Sequence, residues 1–496
     1  MKKAWNGRFE KDLNKLIENF TSGDDILFDQ LLIEHDIRGT EAHDIMLNKI
    51  GVISDENLKL ILKGLEEILE AYNKGKFVLK EEFEDVHLNI ENQLLKNLSN
   101  EIAGNIHVGR SRNDQILVDM RLYLRVKITE IIDSLIKLIE SILNLVPDNV
   151  NTLMIAYTHM QPAQPISFGF LLMSYATSLI RDLKRLGQEY AFINSNPLGA
   201  AAIAGTSWKI DRNLTMELLN FDSVQINALD VISSRGEFEA SLVFSLSMIM
   251  NHLNKIAMDF LMWSTKEYNI LEFDDSVTTG SSIMPQKKNL DVCELLKAKF
   301  GKVSADLLQI LNILKGLPSG YNRDTQEIKQ PLFDSIKTTQ NSIEACSLLF
   351  QNFQINTGKI TDLLNNSFVT ATELIDLIME NTEVDFRTSH KIVGIIIKNL
   401  IKNNETLMDL TPEHVKSVLK DLSMKEIEIN IRAIKSAIDP FNTIKKRTHL
   451  GGPAPSEVLK DYNIKKEKLK TLSKENKLRM EKNELKKLKE IIINNT

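Results

Sequence analysis

From Arg110 to Val146 the chain contains neither glycine nor proline, and Ile128, Ile131, Leu135, Leu138, Ile139, Ile142 and Val146 recur through it at helical intervals. The pattern predicts one helix of roughly 50 Å at 1.5 Å per residue. A rod that long, with one apolar stripe, needs other rods to cover it. The chain offers them. A second helix is expected from Ile166 to about Asn194, and a third from Glu239 to Leu271, a run apolar almost all round that suits the centre of a bundle. Leu290 to Lys315 resumes the pattern with Asn289 as its expected N-cap, and another helix starts near Thr325.

Composition agrees. Only 21 Gly and 11 Pro punctuate 496 residues, too few for the turns of an all-β sandwich or barrel. The expected fold class is therefore all-α, in three mainly helical regions: 1–110, a central long-helix region 111–360, and 361–496, where the helices shorten. A net charge of −6 gives no reason to expect nucleic acid or membrane as a partner. The most apolar runs, Ser241 to Met250 and Ile392 to Ile397, are too short to span a bilayer. Glu10, Lys11 and Asp12 stand where a secretory apolar segment would be. Cys293 and Cys346 form no disulfide framework and no metal-ligand spacing, so a soluble cytoplasmic protein without metal or cofactor is expected. The lysine-rich stretch Lys465 to Lys489 reads as a solvated terminal helix.

The polar breaks between the rods carry the chemistry. Thr279 to Asn289 is a loop of small, polar and cationic residues: Gly280, Ser281 and Ser282 offer free N–H groups, Pro285 stiffens its exit, and Lys287 and Lys288 supply charge. It suits closure over an anion. Ser111 and Asp114 form a capping box in front of the first rod, but Arg110, Arg112 and Asn113 beside them equally suit a carboxylate or phosphate. His159, in the proline-bounded turn Tyr157 to Pro165, is placed either as a proton carrier or as a structural histidine. His87, behind Glu84 and Asp85 in an expected acidic first helical turn, reads on its own as a partly exposed surface histidine. Asn196 to Gly205 is either a tight functional loop or a plain connector.

Taken together these segments resemble the argininosuccinate lyases of the fumarase/aspartase superfamily. The likeness rests on Gly280 to Asn289 as the signature loop, and on Trp5 to Phe9, Glu84 to His87, His107 to Gln115, Tyr157 to His159, Tyr321 to Asp324 and Gly451 to Pro455. It spans nearly the whole chain. The resemblance implies a homotetramer whose long helices form a twenty-helix core, with each active site assembled from three subunits. It further implies a reversible β-elimination of argininosuccinate to L-arginine and fumarate, in arginine biosynthesis, with no cofactor. A different fumarate-releasing lyase (adenylosuccinate lyase, fumarase or aspartase) and a non-catalytic crystallin-like relative are the competing readings.

The resemblance names the roles. Ser281 and His159 are the acid/base pair, with Glu294 the carboxylate that orients His159. Lys287, Asn289, Asn113 and Thr158 serve the charge that develops on the succinyl carboxylate, joined in substrate binding by His87 and Arg112. Tyr321, Gln326 and Lys329 meet the arginine end, with Lys329 as partner for its carboxylate. Ser281 is taken as base and His159 as acid, which requires the closed loop, Lys287 especially, to stabilise a serine alkoxide. Three positions depart from the family pattern: Leu290 where proline is common, Ile328 where an acid is common, and Arg323 where lysine is common.

Overall fold

A computed structural model describes residues 13–22, 25–424 and 430–495. The expected segment Trp5 to Phe9 lies outside them. Helices carry the architecture. The chain enters the bundle through α1 (Ile33–Lys49) and then forms the longest rod, α2 (Arg112–Asn149), which at 38 residues is about 57 Å long. It follows its apolar stripe to the end and runs on through Pro147, inside the last turn.

A two-stranded antiparallel hairpin, β1 (Leu153–Thr158) and β2 (Gln161–Ser167), turns the chain back into α3 (Phe168–Ile193). The Ser167 side chain caps α3 by accepting the N–H of Phe170. Then follow α4 (Glu237–Ser264), α5 (Asp291–Leu314) and α6 (Lys329–Gln351). These rods pack lengthwise on one another, α2 against α3 and α6, α4 against α3, α5 and α6.

Gly236 shows how tightly the start of α4 is seated. Its φ is 97°, and a Cβ there would lie 2.5 Å from Leu314 and 2.7 Å from Ile328. This also places the Ile328 departure: the side chain is buried against that turn.

Three expectations need correction. The third rod stops at Ser264 rather than Leu271, because the Ser264 and Thr265 hydroxyls bond back to Leu261 and Met262 carbonyls and Leu271–Phe273 pairs as a strand with Phe353–Ile355. That rod is not buried all round: Phe244 and Met258 are about half exposed. Asn289 does not cap α5; it pairs with Thr279 in a short ladder, and Leu290 takes the cap position without a side-chain bond.

The apolar interior forms one large cluster through the rods, a second, smaller one between Leu374 and Ile438, and a small third of Leu117, Ala200, Val231 and Ile232. The final long helix, α7 (Pro455–Asn483), returns to the first cluster through Val458 and Leu469. Asn476 and Asn483 dock it on α2 by donating to the carbonyls of Thr129 and Arg125, at 3.0 and 3.1 Å. Most of its lysines are solvated, but the expected stretch Lys465 to Lys489 is not one helix: it breaks after Asn483, and a further helix runs Lys486–Asn495.

Candidate active site

The rods give the molecule two functional ends. At the end where α2, α4 and α6 begin, a cavity of about 120 Å³ is lined by His87, Arg112, Asn113, Tyr321, Gln326 and Lys329, together with Asp25, Asp29, Glu84, Asp85, Arg235 and Arg323. Six of the expected substrate-binding residues therefore meet in one place. The capping box is present: Ser111 accepts the N–H of Asn113, and Asp114 accepts that of Ser111. Asp114 also accepts from Gly199 and Ala201, so the small-residue loop 196–205 is pinned to the start of α2. Asn113 donates to the Ala202 carbonyl at 3.0 Å.

Charge in this cavity is largely paired. Arg112 sits 2.7 Å from Asp85 and 3.3 Å from Glu84. Those acids precede the helix Val86–Asn97 rather than filling its first turn, with Asp85 as its N-cap. Lys329 Nζ lies 2.9 Å from Asp25 and 2.6 Å from Asp29. Burial opposes its charge, but Asp29 and Asp25 outweigh that and hold its pKa up. Arg323 donates to the Thr21 carbonyl at 3.0 Å and so ties the N-terminal segment to the rim. Arg235 differs: it bonds the neutral Gln326 Oε1, lies 5.6 Å from the Tyr321 ring centre, and has no carboxylate partner among the described residues.

His87 is buried, not a surface histidine. Its Nδ1 is 2.7 Å from Asp36 Oδ1 and 3.5 Å from Asp119 Oδ2. Burial disfavours the imidazolium, yet Asp36, with Asp85 and Asp29, together more than offset this and raise its pKa. Asp36, His87 and Asp119 offer three ligand atoms within 4.8 Å of one another. The Asp36–His87 hydrogen bond, however, already engages a ring nitrogen and a carboxylate oxygen that a cation would need.

The remaining residues stand at the other end. His159 and Met160 form the two-residue tip of the β1–β2 hairpin with φ of 53° and 61°, the left-handed pair that a tight hairpin turn demands. Neither is glycine, and each costs of order 1 kcal/mol in that region. Thr158, His159 and Met160 are all exposed.

The signature loop is folded on itself. Thr279–Gly280 pairs with Lys288–Asn289, and Ser281 Oγ accepts the N–H groups of Ile283 and Met284 at 3.3 and 3.1 Å. Lys288 pairs with Asp275 at 2.8 Å, whereas Lys287 is exposed without an ion pair among the described residues. Glu294 is exposed in the first turn of α5. Tyr157 and Tyr268, with ring centres 6.3 Å apart, tie the hairpin to the segment after α4 at this same end. Within one chain, then, His159, Ser281, Lys287, Asn289, Glu294 and Thr158 do not line the cavity that holds the other six.

Motif spacing did not point to Arg235, Asp25, Asp29 or Asp36. Only the pair Asp25 and Asp29 left a trace, an i,i+4 spacing on one helical face.

Known proteins share this fold. Residues 7–305 match the family model described as lyase, and residues 368–445 the one described as argininosuccinate lyase C-terminal. Among solved structures, an EDDS lyase in complex with formate superposes with a TM-score of 0.86 at 26% identity, covering 98% of this chain and 95% of that one. A class II fumarase from Schistosoma mansoni shares the fold at a TM-score of 0.68 and 18% identity, over 85% of this chain and 91% of its own. Fold and sequence thus define a helical carbon–nitrogen lyase of the fumarase/aspartase superfamily.

Argininosuccinate lyases match over almost the full length. One from a Geobacillus species is 39% identical over 93% of this chain and 97% of its own, and one from Methanocaldococcus jannaschii 38% identical over 98% of both. The chain belongs to the argininosuccinate lyase family. Among the described residues no helix is long and apolar enough to cross a membrane.

Proposed function

We propose that the chain catalyses the reversible β-elimination of argininosuccinate to L-arginine and fumarate, in arginine biosynthesis, at sites completed by neighbouring copies in a homotetramer. One observation supports the shared site above all. Asn113 opens α2 and His159 follows its far end, separated by a rod of about 57 Å, a distance no loop closure spans. A neighbouring rod running the opposite way brings one chain's hairpin to another chain's cavity. The exposed Phe244 and Met258 on α4, and Leu295, Leu308 and Leu311 on α5, offer the apolar face for such packing. In this reading the rods of 111–360 form the shared core, with 1–110 and 361–496 at its flanks. With Cys293 and Cys346 both buried free thiols, the cytoplasm is its natural compartment.

The chemistry follows from the charge that must be carried. Taking a proton from the carbon beside a carboxylate builds a second negative charge on that group, which needs donors fixed beforehand. Lys287, Asn289, Asn113 and Thr158 supply them once the loop covers the substrate, and closure excludes water. Ser281 is the base. The N–H groups of Ile283 and Met284 already point at its Oγ, so an alkoxide there has two donors besides Lys287. His159 protonates the leaving nitrogen and Glu294 orients it. At the cavity end, Tyr321 and Gln326 hold the arginine part, and Arg235 joins Lys329 in holding its carboxylate, since Lys329 is already flanked by two acids.

Fumarate absorbance with a panel of argininosuccinate, adenylosuccinate, malate and aspartate tests the reaction. Release of fumarate from argininosuccinate is expected; release from adenylosuccinate alone would sink this reading.

A further inference from the structure

The cavity wall contains a charge arrangement that substrate binding by His87 leaves unexplained. Three helices meet there: α1 brings Asp36, the helix Val86–Asn97 brings His87, and α2 brings Gln115 and Asp119. Asp36 Oδ1 receives two donors, His87 Nδ1 at 2.7 Å and Gln115 Nε2 at 2.8 Å. Asp36 is 1% exposed and His87 5%. A carboxylate so held fixes both the rotation of the imidazole and the nitrogen that faces it, leaving Nε2 as the ring nitrogen available to the cavity that His87 lines.

Asp119 is a different kind of acid. It is fully buried, and neither of its oxygens has a hydrogen-bond partner. Burial, and then the neighbouring Asp36 charge, push its pKa well above the carboxylate range. Asp36 goes the other way: burial raises it, but His87 outweighs burial and keeps it ionised. The cluster therefore holds one acid that grips the ring and a second, Asp119, whose charge is disfavoured by burial and by Asp36.

We propose that Asp36 is a positioning residue for the reaction: it holds His87 protonated on Nδ1 and directs Nε2–H into the cavity as a donor to a substrate carboxylate. Asp85 and Asp29 at the rim favour the same imidazolium. A donor that is both charged and immobilised forms a stronger bond than a neutral, rotating one. The proposal rests on the reading of the cavity as part of the argininosuccinate site.

The test is a double-mutant cycle on the full-length protein, with fumarate release as the assay. Asp36→Asn is expected to raise KM for argininosuccinate about tenfold or more with kcat changed far less, and His87→Asn to do the same. Because Asp36 acts through His87, adding Asp36→Asn to the His87→Asn background should change KM less than twofold. Asp119→Asn, isosteric with a neutral acid, should leave KM within about twofold. Additive effects of the two substitutions, or equal losses in Asp36→Asn and Asp119→Asn, would overturn the proposal.

Should Asp36→Asn not yield folded protein, 15N-histidine spectra of the wild type decide the matter. Both His87 ring nitrogens are expected to carry protons, and a neutral ring with either nitrogen bare is the refuting result. Those spectra stand even if the wild type releases no fumarate from argininosuccinate, the outcome that would count against the proposed reaction instead.

Discussion

The two ends of the rods are built on opposite principles. At the cavity end the side chains are paired, and two of them are buried: Lys329 between two acids and His87 on Asp36, with the half-exposed Arg112 beside two more acids. At the loop end, His159, Ser281, Lys287 and Glu294 are exposed or half-exposed, and their few hydrogen bonds stay within their own turns. One end is preassembled by its own ion pairs, and the other presents its polar side chains to solvent. The difference teaches where stability and activity separate. Substitutions at the loop end should cost catalysis and little stability, and those at the cavity end should cost both.

The sharpest break of that comparison is Ser281→Ala. Removing the proposed base should lower kcat by about 100-fold to 10,000-fold, the range of general acid–base catalysis, and leave Tm within a degree or two because the side chain is not buried. His159→Asn should behave likewise. Parental turnover in both variants would remove them from the mechanism.

Next in size is a test of how the ends are joined. A preparation of Ser281→Ala and one of Asn113→Ala, each inactive alone, are mixed, unfolded together and refolded. If sites combine residues from different chains, some sites in the hybrids carry neither substitution, and activity returns to an appreciable fraction of the parent's. A site complete within one chain gives no recovery, and fumarate release from the refolded mixture tells the two apart.

Lys329→Met probes the paired end. It leaves Asp25 and Asp29 facing each other without their cation, and breaking a buried pair by removing one partner costs about 3–5 kcal/mol. Urea unfolding should show that loss, together with a raised KM. If stability were unchanged, the cavity end would not be the preassembled surface described above.

Much of this was legible in the sequence, and the limits have physical causes. The rods could be read because a stripe of apolar residues at helical spacing has few other uses, and α2 follows its stripe to the end. The signature loop and the Ser111–Asp114 cap are local in sequence, so their chemistry showed without coordinates. The burial of His87 could not be read: Asp36 lies 51 residues earlier, and only packing of three helices brings the two together. The same holds for Lys329, whose two acids lie 304 and 300 residues away. Nor could spacing tell that His159 and Ser281 share one end while His87 and Lys329 share the other, because that depends on rod direction. The stop of α4 at Ser264 was missed since the apolar run continues into a strand, Leu271–Phe273, whose partner is 80 residues on.

The last test concerns a buried acid on α1, and it is read from a slope against pH rather than from a single loss. Asp44, on α1, is fully buried with neither oxygen hydrogen-bonded, and burial raises its pKa to about 8, only partly countered by Arg110. The unfolded chain lets this group ionise near 4, whereas the folded one keeps it neutral to about 8. The folded state therefore binds the extra proton, and the stability linked to it is full below pH 4 and is lost as pH rises towards 8. Asp44→Asn removes that dependence while keeping shape and neutrality. Its stability relative to the parent should rise steadily between pH 5 and pH 8, by a margin read from urea midpoints at each pH. A constant difference across that range would mean that Asp44 is already ionised in the fold, with a partner not seen here.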